Sequence, residues 1–416
     1  MALNYLPSRG TCYAPTKATD DIKLPGSSIW SGRGNPPGDL IFSTPTGPDG
    51  SAMIPTSSDL PESLLRSIEA TQVEYRRVGS SGLRVSYPIL GTLGIGNTQW
   101  LSWVKSEEEA IEILHAAYRK GINTWDTANA YSNGQTESII GRAIKKLNIP
   151  RRKLVLMTKV GRIVADTEHG PSSDFVAFLD GPVRKSKDYV NQYGLSRTAI
   201  LTGVDQSLER LQTPYIDVLH IHRWDPHTPV EETMSTLHQL VCSGKVRYLA
   251  ASSMWAFQLA QLQCVAALNG WTKIVAMQCH YNLLYREEER EMVKLCNMTG
   301  VGILSWAPLA EGNLARPLSV TGQTRRSATG SRYDYGKSEA DKEIIKRVEY
   351  LSSKHQVPMC RVSLSWLRRR VASAVVGINS LSRMDDILAS QEFELTDEED
   401  EYLGEPYVPK AVQGHS

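Results

Sequence analysis

Along most of the chain, short apolar segments alternate about eight times with amphipathic segments of helical period. The short segments are apolar on both faces, which is typical of parallel strands covered by helices on both sides. About eight strand–helix units favour a closed (β/α)8 barrel, an α/β fold, over an open doubly wound sheet, which remains the alternative. Gly91, Gly94 and Gly96 do not have the G-x-G-x-x-G spacing, so a Rossmann-type dinucleotide site is not indicated.

The boundaries of these segments come from apolar runs, helix caps and glycine stops. Ser106 with Glu109 forms a capping box, and Gly121 ends the helix that follows. The predicted strands are Pro88–Leu90, Ile122–Asp126, Leu154–Thr158, Ile216–Ile221, Val246–Ala251, Ile274–Met277, Val301–Trp306 and Ala374–Val376. The predicted helices are Ser106–Lys120, Thr136–Leu147, Ser196–Leu211, Glu231–Cys242, Phe257–Leu268, Glu287–Met298, Asp341–Lys354, Arg361–Arg370 and one that starts at Ser382.

The first 74 residues differ in composition from the rest. Nine of the 21 prolines precede residue 62, among Gly, Ser and Thr, and hydrophobic periodicity is absent. We therefore interpret residues 1–74 as an N-terminal extension that is mobile or extended over the surface. Residues 75–95 predict a β-hairpin cap, because two β-rich runs flank a Gly-Ser-Ser-Gly turn. The barrel is expected over 75–400, with a long insertion at 161–195 and a C-terminal tail at 401–416.

Charge and hydropathy exclude several classes of function. The formal net charge is +1, so there is no general case for binding nucleic acid or acidic membranes. No apolar run of about 18 residues is present, and the first residues lack the pattern of a secretory signal. The six cysteines form no C-x-x-C pair, which favours a reducing compartment. We therefore expect a cytoplasmic protein.

Four polar side chains fall at the ends of successive predicted strands. Asp126 ends the second strand, Tyr131 lies on the loop after it, Lys159 ends the third strand, and His222 follows the fourth. Each alone is compatible with a structural role: a cap, a surface tyrosine, a solvated strand end or a core histidine. In a barrel, however, all carboxyl ends of the strands open on one face, so these four are expected to meet.

This set of groups suits hydride transfer to a carbonyl. The carbonyl oxygen needs a proton, and a tyrosine, with an unperturbed pKa of about 10, is a weak donor near neutral pH. A neighbouring ammonium stabilises the phenolate. The hypothesis is that Tyr131 is the general acid, Lys159 its tuner, Asp126 the partner of the lysine, and His222 the group that orients the carbonyl.

Several motifs carry a resemblance to a known family: DTANAYSNGQTESIIG, LMTKVG, YIDVLHIHRWDP, GKVRYLAASS, MQCHYNLLYREEER and ILSWAPLAEG. From about residue 75 to 395, the sequence resembles the aldo-keto reductase superfamily. The last three motifs resemble most the branch with fungal secondary-metabolite reductases and potassium-channel β subunits. The resemblance implies a (β/α)8 barrel that binds NADPH in an extended form and reduces aldehydes or ketones. It also implies that Asp126, Tyr131, Lys159 and His222 are the catalytic tetrad.

The resemblance also implies where the cofactor binds. The expected contacts are Thr92, Asp126, Ser252, Ser253, Gln278, Trp306, Ala307, Leu309, Gly312, Arg326, Arg383 and Asp386. The two serines and Gln278 are expected at the carboxamide, and Trp306 is expected to stack on the nicotinamide. The loop that starts at Ala307 is expected to follow the diphosphate, with Arg326 and its neighbour Arg325 as either a clamp or a solvated pair. Arg383 and Asp386 are expected at the adenosine end, where an arginine suits a 2′-phosphate.

The substrate pocket is less well defined by the sequence. His220 stands where this branch usually has Gln, and Ala250 and Ser253 replace a commoner Gly and Asn. Trp100, Trp103 and Trp224 lie on loops at the predicted mouth, so together with Tyr131 and His222 they suggest a bulky or aromatic carbonyl substrate. Oxidation of an alcohol would use the same residues. The sequence does not indicate an oligomeric state.

Two other functions compete with a reductase. His220-x-His222 could ligate zinc in a barrel hydrolase, but His280 is the only further strand-end histidine and the ligand set is incomplete. We therefore predict no metal site. The second alternative is a regulatory subunit that holds NADPH with little turnover, although the intact Tyr131 and Lys159 favour an enzyme.

Overall fold

The computed structural model describes residues 60–166, 185–320, 333, 335–389 and 393–415. Eight parallel strands close into a barrel, with the last strand of the chain paired to the first strand of the barrel. Helices separate successive strands along the chain. The (β/α)8 barrel predicted from the alternating pattern is confirmed, and the alternative prediction of an open doubly wound sheet is wrong.

The strands and helices are numbered here in chain order. The strands are β1 (Glu74–Arg77), β2 (Arg84–Tyr87), β3 (Ile89–Gly91), β4 (Thr124–Asp126), β5 (Val155–Val160), β6 (Ile216–Ile221), β7 (Val246–Ser252), β8 (Ile274–His280), β9 (Gly302–Trp306) and β10 (Ser373–Gly377). The helices are α1 (Glu62–Ala70), α2 (Glu107–Arg119), α3 (Gln135–Lys146), α4 (Arg197–Leu211), α5 (Val230–Cys242), α6 (Ala256–Leu268), α7 (Met292–Thr299), α8 (Glu339–His355), α9 (Met359–Arg368), α10 (Leu381–Leu388) and α11 (Asp397–Gly404).

The barrel interior is filled by side chains, so it is a core and not a pore. One buried cluster takes residues from seven of the eight barrel strands: Ile89, Met157, Val218, Ala250, Ala276, Leu304 and Val375. Side chains alternate in direction along a strand, so the intervening residues face the helices and join a second, larger cluster. The candidate site lies at the carboxyl ends of the strands, above this filled interior.

The predicted N-terminal hairpin is present. Strand β1 pairs with β2 in antiparallel register, and Val78 and Val85 belong to the same buried cluster as the barrel interior. The turn residue Gly79 has φ +55°, and a Cβ there would lie 2.2 Å from the carbonyl oxygen of Gly300. Only glycine fits this approach, which fixes the hairpin against the start of β9.

Three elements differ from the sequence prediction, and one of them, α11 (Asp397–Gly404), was not predicted at all. The segment Glu287–Met298 is not one helix: a single 3₁₀ turn covers Glu287–Glu289, and α7 begins at Met292. The reason is that Glu287 is buried and accepts hydrogen bonds from Tyr407 and from the backbone of Lys410, contacts that local sequence does not reveal. Within residues 1–74, α1 is a regular helix, whereas residues 1–59 lie outside the described part.

Among the described residues, no helix combines the length and the hydropathy needed to cross a bilayer. Most of the predicted insertion, at residues 167–184, also lies outside the described residues. Its last part is placed, and there Tyr189 packs with Ile163 and Ala165 beside the end of β5.

Candidate active site

A buried ion pair lies at the carboxyl ends of β4 and β5. The Nζ atom of Lys159 is 2.6 Å from Oδ2 of Asp126 and donates a second hydrogen bond of 2.7 Å to the carbonyl oxygen of Thr127. The side chains of Lys159 and Asp126 are 1% and 3% exposed. A charge buried this deeply needs a partner and hydrogen bonds, and the lysine has both.

Tyr131 completes the surroundings of the lysine. Its ring centroid is 5.2 Å from Nζ of Lys159, so the phenol lies beside the ammonium. Burial lowers the pKa of Lys159, whereas Asp126 and Tyr131 raise it by a larger amount. The net pKa of Lys159 therefore lies above its usual value. The lysine is therefore charged at neutral pH, as a tuner of the phenol must be.

The loop that holds Tyr131 is fixed on both sides. Ser132 and Asn133 have φ of 48° and 51°, a left-handed backbone conformation that is uncommon outside glycine. The backbone amide of Asn97 donates to Oγ of Ser132, and Asn133 exchanges two hydrogen bonds with the backbone of Ala165. These contacts set the position of the phenol before any ligand binds.

His222 follows β6 and faces Tyr131. Its backbone amide donates to the carbonyl oxygen of Val160, and the two rings meet edge to face with centroids 6.2 Å apart. Burial lowers the pKa of His222 well below its usual value, and the positive charges of Arg223, Lys159 and Arg162 act in the same direction. All four residues of the predicted tetrad therefore gather at one mouth of the barrel, with the histidine uncharged at neutral pH.

His220 lies deeper in the barrel. It pairs in register with Lys159 and with Ala250, is fully buried, and has Nδ1 3.3 Å from the carbonyl oxygen of Thr158. Burial and the nearby Lys159 lower the pKa of His220 to about 4. The described residues include no group of three or more His, Cys, Asp or Glu that could hold a metal. The described residues therefore provide no ligand set for the zinc hydrolase alternative.

Two residues that were predicted to contact the cofactor, Gln278 and Thr92, form hydrogen bonds with Asp126. Nε2 of Gln278 donates to Oδ1 of Asp126 at 2.9 Å, and Oγ1 of Thr92 donates to its backbone oxygen at 2.8 Å. Both side chains are buried. Gln278 thus fixes the second carboxylate oxygen of the Asp126–Lys159 pair, a role that the sequence analysis did not assign.

The residues predicted to hold the nicotinamide meet at the ends of β7 and β9. Nε1 of Trp306 donates to Oγ of Ser253 at 2.9 Å, and Ser252 is the last residue of β7. Ser253 has φ of 39°, a left-handed conformation that asparagine, the commoner residue in this branch, adopts more readily than serine. Trp306 is partly exposed, so its ring is at the mouth and not in the core.

An aromatic stack beside Trp306 was not predicted. The ring of His280 lies between Tyr285 and Trp306, with centroid distances of 3.9 and 4.1 Å and nearly parallel planes. Nε2 of His280 hydrogen-bonds the hydroxyl of Tyr335. The stack holds Trp306 from one side. In the sequence, only the polar and aromatic motif MQCHYNLLYREEER at the end of β8 pointed to this stack.

The loop after β9 has the strained backbone expected of a binding loop. Ala307, Ala310 and Glu311 all have positive φ, and Leu309 precedes the single 3₁₀ turn Ala310–Gly312. A Cβ at Gly312 would lie 2.7 Å from Nη2 of Arg316. Arg325 and Arg326, the predicted clamp, lie outside the described residues.

The predicted adenosine end lies after β10. Arg383 is exposed near the N-terminus of α10, where Nη1 donates to Oδ1 of Asn379 at 2.9 Å. Asp386 lies one turn further, and its backbone oxygen accepts from Arg361. This end is built on a helix N-terminus, which favours anions.

The predicted substrate tryptophans are placed less uniformly. Trp100 is 9% exposed, and its backbone amide donates to Asn97 on the loop that also supports Ser132. Trp224, directly after Arg223, is half-buried and packs against the outer hydrophobic cluster. The two tryptophans therefore lie in different surroundings, Trp100 beside the loop that supports Ser132 and Trp224 against the larger hydrophobic cluster.

The C-terminal tail is a part of this mouth that the sequence analysis missed. The backbone amide of Gln413 donates to the hydroxyl of Tyr285, and the ring of His415 lies 4.8 Å from that of Trp255. A Cβ at Gly414 would lie 3.6 Å from the ring of Trp306. Residues 405–415 are thus held against the elements that surround the predicted nicotinamide site.

Comparisons with known proteins agree with this geometry. The sequence model of the aldo/keto reductase family matches residues 89–405. Aldo-keto reductase AMT2 of Alternaria alternata is 53% identical over 358 residues, 86% of this chain and 97% of that protein. Versiconal hemiacetal acetate reductase of Aspergillus parasiticus is 46% identical over 349 residues, 82% and 98% of the two chains. A putative aryl-alcohol dehydrogenase of Saccharomyces cerevisiae is 39% identical over 344 residues, 81% and 98%.

The barrel, the mouth and these matches define an oxidoreductase that acts on carbonyl or alcohol groups. The chain belongs to the aldo/keto reductase family, and the resemblance drawn from its motifs is confirmed.

Proposed function

We propose that this protein reduces an aldehyde or ketone with NADPH, and that Tyr131 supplies the proton. The observation that carries the proposal is the fully buried Lys159, whose Nζ donates to Asp126 and lies 5.2 Å from the ring centroid of Tyr131. When bound, NADPH supplies the hydride to the carbonyl carbon. Tyr131 then gives its hydroxyl proton to the carbonyl oxygen, and the ammonium stabilises the phenolate that remains.

The other residues of the mouth have positioning roles in this proposal. Asp126 holds the lysine charged and is itself held by Gln278. His222 orients the carbonyl oxygen. The chemistry of the donor set fits a nicotinamide, because two serine hydroxyls and the ring of Trp306 lie together at the ends of β7 and β9. Arg383, near a helix N-terminus, would bind the 2′-phosphate that distinguishes NADPH from NADH.

The substrate is proposed to be a bulky or aromatic carbonyl compound, and an intermediate of fungal secondary metabolism is one such class. Support comes from the aromatic side chains near the mouth and from the fungal relatives, one of which is named a versiconal hemiacetal acetate reductase. We also propose a cytoplasmic location, in keeping with the free cysteines among the described residues.

The test is steady-state oxidation of NADPH by the purified protein with a panel of aromatic and aliphatic carbonyls. We expect turnover with at least one aromatic carbonyl. Because one relative is named a putative aryl-alcohol dehydrogenase, the reverse reaction is measured with NADP and the matching alcohols. A single oxidation of bound NADPH, without steady-state turnover on any carbonyl, would favour the regulatory-subunit alternative and contradict the proposal.

A further inference from the structure

Arg223 connects two parts of the mouth that the proposed function keeps separate. Its Nη1 donates to the carbonyl oxygen of His222 at 2.5 Å and to Oγ of Ser252 at 3.2 Å. His222 is the residue proposed to orient the carbonyl, and Ser252, on the neighbouring strand, is proposed to bind the carboxamide. One guanidinium therefore links these two positions at the ends of the paired strands β6 and β7.

Arg223 also contributes to the charge around the imidazole. The groups that face His222 come from its own strand and loop, from β5 and the residues after it, and from the loop after β4: His220, Arg223, Lys159, Arg162 and Tyr131. Among the charges in this set, Arg223 has the largest effect on the pKa of His222. Lys159 has its own counter-charge in Asp126, at 2.6 Å.

The state of the imidazole matters for the reaction. An imidazolium at His222 would compete with Tyr131 as the acid and would repel the ammonium of Lys159. Nδ1 of His222 is buried and has no hydrogen-bond partner among the described residues, which leaves Nε2 as the nitrogen for a substrate oxygen. A neutral ring that donates from Nε2 can orient a carbonyl without protonating it.

We propose that Arg223 is a positioning residue for carbonyl reduction, which ties the backbone of His222 to the hydroxyl of Ser252 and places a cation beside the imidazole so that Tyr131 remains the proton source. The proposal rests on the proposed function and assigns a role to a residue that the tetrad does not include. It follows that the guanidinium has two separable effects, a geometric one through its hydrogen bonds and an electrostatic one through its charge.

The test compares Arg223→Gln, which keeps a hydrogen-bond donor without the charge, with Arg223→Lys, which keeps the charge. In the pH profile of kcat/KM for reduction, the acidic limb of Arg223→Gln should move to higher pH by about one unit, because loss of a nearby cation raises the pKa of His222. The acidic limb of Arg223→Lys should stay in place, with a lower kcat from the altered hydrogen bonds. Arg247→Gln is the matched control, because Arg247 lies at the other end of β7, stacked on Tyr215.

A second readout does not need turnover. The titration of His222 is followed by NMR, with its signal assigned by its loss in His222→Gln, and it should move upward in Arg223→Gln only. An Arg223→Gln protein that is slower by the same factor at every pH, with an unchanged titration of His222, would overturn the proposal. If the unmodified protein reduces no carbonyl, the proposed function fails, while the NMR titration still decides the effect of the charge.

Discussion

The two ends of the proposed NADPH site differ in how firmly the protein itself holds the side chains. At the catalytic end, Lys159 and Asp126 are buried, bonded to each other and supported by Gln278. At the adenosine end, Arg383 is exposed, and its guanidinium has one side-chain hydrogen bond within the described part of the chain, to Asn379. The first end is thus organised by contacts within the protein, whereas Arg383 at the second end has fewer such contacts among the described residues. We therefore expect substitutions to change the rate at the first end and affinity or selectivity at the second.

The largest effect should come from Tyr131→Phe. Removal of the hydroxyl takes away the proton donor, and we expect kcat for reduction to fall by about a thousandfold or more. Affinity for NADPH, measured by quenching of protein fluorescence, should stay nearly unchanged because the ring remains in place. A variant that loses cofactor affinity while retaining kcat would reject the general-acid role and would remove the contrast between the two ends.

Lys159→Met should show that the catalytic end is also a structural centre. The substitution leaves the carboxylate of Asp126 buried without its cation, and we expect a loss of about 3–5 kcal/mol in the free energy of unfolding, measured with denaturant. Lys159→Met combined with Asp126→Asn removes both charges and should recover part of the stability but none of the activity. If the single variant is as stable as the unmodified protein, the ion pair is not the buried support that the geometry indicates.

A smaller effect is expected from His220, through the pH dependence of stability. Its pKa is about 4 in the folded protein and near 6.5 when unfolded. Above pH 6.5 neither state binds this proton. As the pH falls from 6.5 towards 4, the unfolded state binds this proton first. The free energy of unfolding therefore decreases by up to about 3 kcal/mol.

The acid sensitivity of the unmodified protein is compared with that of His220→Gln, whose amide does not titrate. We expect urea unfolding curves of the two proteins to diverge between pH 6.5 and 4, with His220→Gln losing less stability. Parallel curves over this range would show that another group dominates the acid response.

The sequence predicted the parts of the molecule that depend on local pattern and on strand order. Asp126, Lys159 and His222 were recognisable because a barrel brings successive strand ends to one face. The partners of these residues were harder to predict. Gln278 reaches Asp126 across 152 positions of the chain, and Tyr407 reaches Glu287 across 120.

The second of these long-range contacts also explains the error in the helix prediction. The apolar period of residues 287–298 favours a helix, but the contacts of Glu287 with the C-terminal tail hold its first turn in a 3₁₀ conformation. The stack of His280 on Trp306 was missed for a similar reason, since stacking follows from side-chain directions at two strand ends. Side-chain pairing between distant segments is what the pattern of one sequence leaves open.

The smallest predicted effect, at the adenosine end, tests the other half of the comparison. Arg383→Ala removes an exposed guanidinium, and the preference for NADPH over NADH should narrow by about tenfold, the value of one charged hydrogen bond. Arg66→Ala, at an exposed arginine paired only with Glu62 among the described residues, is the control for the loss of a surface charge. The measurement is kcat/KM for each cofactor with one carbonyl substrate. Because Arg383 lies far from the tetrad in this proposal, kcat at saturating NADPH should not change. A fall in kcat with an unchanged preference for NADPH over NADH would mean that Arg383 organises the site and does not bind the 2′-phosphate.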